Sequence, residues 1–412
     1  MKSLLKLGLA VAILYMALPT DIFAQTQTID DKYIENDVVS LAGKKGFSFN
    51  TKAGDFLLKP YVLIQASGNF NYYDDEDLDL SEVDRVANSG FAIPNALLGF
   101  SGKAFGKVTF NFTLNAAKSG GALLQQAWFD VNMKESLRLK VGKFKTPGHQ
   151  AYLVTLGETL FPSLPSSLTT RVNIPYSLNA VNPVFATGFD LGIELHGLIN
   201  RKWDYGIGLF NGTGIDVNTA GKTMSDDHKW LPSLLYAGRL AFMPKGEMPS
   251  YQGNPDDLTN DKMLFALSTS YNVESESEST NDFRAGLEFA WLKDRWYFTV
   301  EGYWLNMKFT KRQQIAKAYN FWGAYAQVGY FVTDKMQLAA RYDWYDRNGT
   351  NKKGVMNMPA AGFNYFFSNF NLKLQVMYQY MGRTGHATQL DRDNDALNMP
   401  MHSAIAMLQY SF

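Results

Sequence analysis

Lys107-Val108-Thr109-Phe110-Asn111-Phe112-Thr113-Leu114-Asn115-Ala116 is the stretch that decides the fold class. Val108, Phe110, Phe112, Leu114 and Ala116 are apolar; Lys107, Thr109, Asn111, Thr113 and Asn115 are polar. An extended chain sends successive side chains to opposite faces, so this segment is a strand with one greasy face and one wet face. A soluble antiparallel sheet alternates in the same way. The number of such strands, the lengths of their connections and the chemistry of their ends separate the two cases.

The alternation recurs along the chain. Leu137, Leu139 and Val141 alternate with Arg138, Lys140 and Gly142, and Phe189, Leu191, Ile193 and Leu195 face away from Asp190, Glu194 and His196. Phe283, Ala285, Leu287, Phe289 and Trp291 flank Arg284 and Glu288, and Leu372, Leu374, Val376, Tyr378 and Tyr380 flank Lys373, Gln375 and Gln379. Aromatic residues end many of these apolar faces: Phe70 and Tyr72, Trp203, Trp296 and Trp304, Trp344, Tyr380, Tyr410 and Phe412. A membrane barrel places its interfacial girdles there. Short links at 105–107, 134–136, 200–202, 293–295, 333–335 and 368–370 alternate with long ones at 73–90, 145–187, 211–233 and 381–401. Short periplasmic turns opposite long outer loops mark an outer-membrane barrel. Two links break the rhythm: 243–262 is long where a turn is due, and the link near Ala117 is short where a loop is due. The expectation is an all-β, up-and-down transmembrane antiparallel β-barrel of about 16 strands, with a lumen too wide for side chains alone to fill.

The composition agrees. The chain has 412 residues, 39 Lys and Arg against 39 Asp and Glu, and no Cys. Balanced charge gives no basic field for nucleic acid. The missing Cys excludes disulfide scaffolds and thiolate chemistry. Charged residues are only 19% of the chain, because a lipid-facing Arg or Lys at mid-bilayer costs roughly 2–4 kcal/mol and charges are confined to lumen, turns and loops. Residues 1–24 read as a cleaved signal peptide: Lys2 and Lys6, an apolar run from Leu7 to Leu18, then Ile22-Phe23-Ala24. That run is shorter than the roughly 20 residues that span a bilayer as a helix. Without Lys2, Lys6 and Asp21 the chain keeps 37 basic and 38 acidic residues. Residues 25–54 read as a periplasmic lead-in with a short strand at Phe47-Ser48-Phe49, and 55–412 as the barrel.

Several stretches resemble the phosphate-selective porin O and P family. Leu139-Lys140-Val141-Gly142-Lys143-Phe144-Lys145-Thr146-Pro147-Gly148 resembles its "VGxFKxPFG" segment, and Gly208-Leu209-Phe210-Asn211-Gly212-Thr213-Gly214 its "GxFNGxG". Ala324-Tyr325-Ala326-Gln327-Val328-Gly329-Tyr330-Phe331 is similar to "YxQxGYxL", Arg341-Tyr342-Asp343 to "RYD", and Gly362-Phe363-Asn364-Tyr365-Phe366 to "GxNYY". The resemblance implies a 16-stranded, usually trimeric outer-membrane porin in which the loop at 145–187 folds inward and constricts the lumen. It implies lipid and lipopolysaccharide as surroundings, and recognition of Phe412 by the barrel assembly machinery. It implies small hydrophilic solutes, anions such as phosphate or polyphosphate among them, and neither cofactor nor metal.

Phosphate selectivity needs Arg and Lys to replace the water an anion loses at a constriction. Sorting strand charges by face gives lumenal bases Lys103, Lys107, Arg138, Lys140, Arg239, Arg284, Arg341 and Lys373. The lumenal acids are Asp130, Asp190, Glu194, Asp204, Glu288, Glu301 and Asp343. That is no basic ladder, and mixed walls suit a general porin. The constriction candidates are more biased: Lys143, Lys145, His149 and Arg171 face one acid, Glu158. Asp391-Arg392-Asp393-Asn394-Asp395 lacks the Gly and Glu of a calcium loop, and the acidic runs at Asp74-Asp75-Glu76-Asp77 and at Glu274, Glu276 and Glu278 read as solvated outer loops. The alternative class is a barrel lipase or protease. It would need a His with an activated nucleophile, and His196 beside Glu194 is the one histidine placed for it, with no Gly-x-Ser-x-Gly elbow anywhere.

Overall fold

The computed structural model describes residues 38–43, 46–72, 87–169, 185–215, 218, 233–273, 280–309, 318–346, 355–383 and 401–412. The signal-peptide reading, Arg171, the acidic runs and the Asp391 cluster lie outside the described residues.

Strands β1 (Val38–Gly43) and β2 (Gly46–Thr51) form a hairpin. The wall begins with β3 (Leu57–Tyr72), β4 (Ala87–Ala104), β5 (Val108–Asn115), β6 (Leu124–Lys134) and β7 (Leu137–Lys145). It continues with β8 (Phe189–Ile199), β9 (Trp203–Phe210), β10 (Leu235–Phe242), β11 (Asp261–Asn272) and β12 (Thr280–Lys293). Then come β13 (Trp296–Phe309), β14 (Ala318–Phe331), β15 (Met336–Asp346), β16 (Val355–Ser368) and β17 (Leu372–Tyr380). The two-residue β18 (Gly382–Arg383) extends the pairing with β16, and β19 (His402–Ser411) ends the wall. Every neighbour is antiparallel and sequential, and β19 pairs with β3. The wall is therefore a closed barrel of 16 strands, β3 to β17 plus β19, with no free edge. Val62 and Phe412 exchange both backbone hydrogen bonds at 3.2 Å across the seam.

The quoted stretch forms β5. Its Phe112 side chain is exposed on the outer surface, while Thr113 and Asn115 are buried inside. The same sorting runs round the barrel: Ile64, Leu98, Ile207, Leu267, Leu287, Leu338 and Leu408 are exposed aliphatics of the outer face. Aromatic residues frame them. Trp203 stacks near Phe242 and Trp296 near Tyr330 at one rim; Phe70, Trp322 and Tyr378 are exposed towards the other. The short links are tight turns. Phe105, Asn200, Arg201, Asp294 and Asn369 take positive φ there, the conformation two-residue hairpins demand.

The interior departs from the expectation of an open lumen. A buried apolar cluster joins Tyr303, Leu305, Met307, Phe321, Tyr345, Met356 and Met358 of the wall to Ala151, Leu168 and Phe185 of the loop after β7. A second joins Leu160 and Phe161 of that loop to Met243 and Met248 of the turn after β10. Wall side chains did not have to fill the lumen, because two inserted segments fill one side of it.

Candidate functional site

The loop after β7, residues 146–188, carries short helical turns among its described residues, Gln150–Leu153, Leu156–Glu158 and Ser166–Thr169. Turns this short are not stable alone. Their backbone groups are satisfied by polar side chains of the wall. Glu301 Oε1 accepts from Ala151 N–H at 2.7 Å, and the Asp343 carboxylate from Ser166 and Ser167 N–H at 2.5 and 3.2 Å. Arg341 donates to Ser163 O at 2.9 Å, and Asn364 to Leu160 O at 2.9 Å. Lys373 Nζ donates to Gly157 O at 2.9 Å and Thr159 O at 3.2 Å. Gln409 adds a second donor to Gly157 O. A buried backbone polar group needs a partner, and this row of side chains supplies it.

The long turn after β10, residues 243–260, rises into the same space. Thr155 N–H donates to Ser250 O at 2.9 Å and Gln252 N–H to Glu158 O at 3.0 Å. Gln252 Oε1 accepts from Leu160 N–H at 2.7 Å, and Gln252 O accepts from the Gln337 side chain at 3.2 Å. The turn is long because it buttresses the loop from below.

The lumenal bases therefore split into two groups. Arg239, Arg284, Arg341 and Lys373 are all buried, Lys373 completely. Arg239 is held by Glu288 at 2.7 Å and by Gln150 at 3.0 Å, and Arg284 lies 3.6 Å from Asp282. Arg341 and Lys373 anchor the loop, while Arg239 and Arg284 are held by acids of the wall, Arg239 also bordering a cavity. Arg138 and Lys140 stay partly exposed on the opposite wall, with Arg138 paired to Asp130 at 2.6 Å.

The constriction candidates are not brought together as one group. Lys143 is fully buried, and its ammonium donates to Gly121 O, Ile215 O and Asn218 Oδ1 at 3.0, 2.5 and 2.6 Å. It fastens the link after β5 to the loop after β9 and presents no charge to a passage. His149 is buried edge-on against Tyr303 at 4.5 Å, with Nδ1 3.8 Å from Glu301. Burial lowers its pKa to about 4. Glu158 is half-buried beside Ser250, and burial raises its carboxyl above the usual range. Lys145 lines both of the larger interior cavities. It donates to Val154 O at 2.9 Å and lies over Tyr152 and Phe189. Phe189, expected on the outer face, is buried here instead. Gly142, at φ +129°, breaks the alternation of β7, so that Phe144 and Lys145 both reach the interior.

Open space remains between the loop and the wall from β4 to β10. Towards the long-loop rim, a cavity of about 360 Å³ is lined by Lys118 and Lys145 with Asn95, Asn115 and Gln125, and among the described residues by no acid. Nearer the short turns, a cavity of about 280 Å³ is lined by Trp128, Lys140, Glu194, His196, Asp204 and Arg239. His196 Nε2 is 3.2 Å from Asp130 Oδ2. Among the described residues no serine hydroxyl is hydrogen-bonded to His196, and no group of three or more His, Asp or Glu is placed to hold a metal ion. Sequence reasoning missed Lys118, Trp128 and the buttressing Gln252. The length of the 243–262 link was the one visible sign of the buttress.

No curated protein matches the chain in sequence. Among solved structures the fold is similar to the outer-membrane channel DcaP of Acinetobacter baumannii, at 12% identity and a TM-score of 0.55, over 90% of this chain and 100% of that one. Salmonella typhi OmpF in complex with daunomycin gives 12% identity and 0.57, over 91% and 100%. In-vitro folded OmpT, an outer-membrane protein of Vibrio cholerae in trimer form, gives 9% and 0.53, over 87% and 99%. At such identities the likeness concerns the fold alone. The family described as "Phosphate-selective porin O and P" matches residues 64–412. Since that match runs from β3 to the terminal Phe412, the chain belongs to the phosphate-selective porin O and P family.

Proposed function

We propose that this outer-membrane porin is a passive channel for small hydrophilic solutes with a mild preference for anions, and that its narrowing lies between the inserted loop and the wall from β4 to β10. The family and the fold support the channel in the outer membrane. The observation that carries the anion preference is the cavity lined by Lys118 and Lys145, with no carboxylate among the described residues that border it. Low-dielectric walls focus the field of two such cations on a passing solute. The buried Arg341 and Lys373 add little, because they are enclosed by the loop and border neither cavity. A phosphate-specific ladder is therefore not part of the proposal; phosphate is one admissible anion.

A channel is favoured over a barrel hydrolase because His196 faces an acid and a guanidinium, with no hydroxyl bonded to it among the described residues. Export through a signal peptide ending at Ala24, assembly guided by Phe412 and a homotrimeric state complete the reading. The trimer has a counterpart in a similar fold, the trimer form of Vibrio cholerae OmpT.

Planar-bilayer recording in asymmetric KCl tests the proposal. The reversal potential should report chloride preference, and Lys118→Glu with Lys145→Glu should move it towards potassium. Cation preference in the unmodified channel would refute the anion reading.

A further inference from the structure

We propose that the cavity of about 280 Å³ beside Trp128 is a subsite for zwitterions, solutes that carry an ammonium and a carboxylate a few bonds apart, such as free amino acids and dipeptides. The inference rests on the channel reading above and names a solute class for it.

Two opposite charges in this cavity do not meet. Lys140 of β7 and Glu194 of β8 are direct partners across the sheet. Side chains at such positions are close enough to bridge. They form no ion pair, because the Lys140 ammonium leans over the Trp128 ring at 4.8 Å and the Phe144 ring at 5.2 Å. A cation over an aromatic face is held there by the ring quadrupole. Glu194 is only 8% exposed, yet its carboxylate has no hydrogen bond and no ion pair within 4.0 Å. A buried carboxylate without a partner is costly, and a protein retains one where a ligand completes it.

Gly206 makes the room for that carboxylate. A Cβ at 206 would lie 2.3 Å from Glu194 Oε1, so no other residue fits without moving the acid. Asp204 supplies a second, half-exposed acid at the same cavity, 3.6 Å from Arg239. Tyr205 lines it as well. The cavity thus offers a positive pole, a negative pole and aromatic surface.

A simple anion that reaches Lys140 is repelled by Glu194 and Asp204. A simple cation at Glu194 is repelled by Lys140 and Arg239. A zwitterion places its ammonium on Glu194 and its carboxylate on Lys140, with an apolar side chain against Trp128. Both uncompensated charges gain a partner at once, which is the condition for differential binding.

Single-channel block tests the assignment. L-Leucine, 4-methylpentanoate and isoamylamine share an alkyl group and differ in charge. Leucine should block the KCl current at concentrations about tenfold lower than either singly charged analogue. Glu194→Gln and Lys140→Gln should each abolish that difference. Equal block by leucine and 4-methylpentanoate would mean an anion subsite and would overturn the proposal, as would block unchanged in both variants. Should a variant fail to fold, liposome swelling with the unmodified protein and the same three solutes decides the matter: leucine must interfere with permeation of a neutral sugar and the analogues must not. Absence of any KCl conductance would strike the channel reading itself; conductance without selective block strikes only the subsite.

Discussion

His149 sits just past β7, buried among charges of both signs. Burial dominates its chemistry and lowers its pKa to about 4; Glu288 pulls the value up, and Arg239 and Arg284 push it down. The Glu301 carboxylate faces the ring from β13 at 3.8 Å. In an unfolded chain the ring titrates near 6.5. Between these values the unfolded state binds the proton and the native state does not, so the stability His149 contributes is present above about 6.5 and is lost as pH falls towards 4. Charging the ring in place costs on the order of 3 kcal/mol, more than the net worth of the hydrogen bond that anchors Ala151 beside it. Glu158 runs the other way. Burial raises its pKa, so protonation on acidification favours the native loop and offsets part of the loss. The expected outcome is a rise in current noise and mean conductance between pH 6.5 and 4, because the loop leaves the wall for part of the time. The variant His149→Phe keeps the edge-on packing on Tyr303 without a titrating group and should flatten that profile. A profile as steep in His149→Phe as in the unmodified protein would assign the loosening to another group.

At the scale of elements, the inserted turn and loop form one unit. Backbone hydrogen bonds tie Thr155 to Ser250 and Gln252 to Glu158, and the Gln252 side chain adds Leu160. Each bond contributes about 0.5–1.5 kcal/mol net, so removing the turn removes a few kcal/mol from the loop without touching a strand. Replacing residues 247–258 by a two-residue Asn-Gly turn should leave a folded barrel on heat-modifiable gel electrophoresis and raise single-channel conductance. Unchanged conductance would mean that the wall alone fixes the loop. The same elements mark where sequence reading succeeded and where it stopped. Period two exposed the outer faces, because lipid demands an apolar residue at every second position. It also placed Arg341 and Lys373 on the inner face. It could not tell water from protein as their neighbour, since their partners lie far away in sequence, at Ser163, Gly157 and Thr159. The stretch Tyr303-Trp304-Leu305-Asn306-Met307 carried the missing signal: apolar residues on the inner face too, where Tyr303, Leu305 and Met307 meet the loop. Lys143 is hidden for the same reason, since the acceptors that enclose its ammonium, at Gly121, Ile215 and Asn218, are also remote in sequence.

For the whole molecule the decisive act is closure. A 16-stranded wall is stable in lipid only if its first and last strands meet, because an open edge leaves backbone groups unsatisfied. The seam joins β3 to β19 from Leu63↔Ser411 to Tyr72↔His402. At its end stands Phe412, and the N-terminal hairpin lies against it. Phe47 meets the Phe412 ring edge-on at 5.9 Å, and a Cβ at Gly46 would lie 3.1 Å from the Phe412 backbone. Only Phe49↔Leu58 and Asn50↔Leu57 connect β2 to the wall, so the hairpin is a lid on the seam more than a part of the barrel. It covers the terminal aromatic after closure, and its absence exposes that ring again. A chain lacking residues 38–51 should therefore still insert and conduct with unchanged unit conductance, since the hairpin lines neither cavity. Its barrel should unfold at lower denaturant by the worth of one half-exposed aromatic pair and two strand pairings, on the order of 1–2 kcal/mol. Equal denaturant midpoints for the two chains would show that the hairpin merely rests on the seam. Loss of insertion altogether would instead give it a part in closing the barrel.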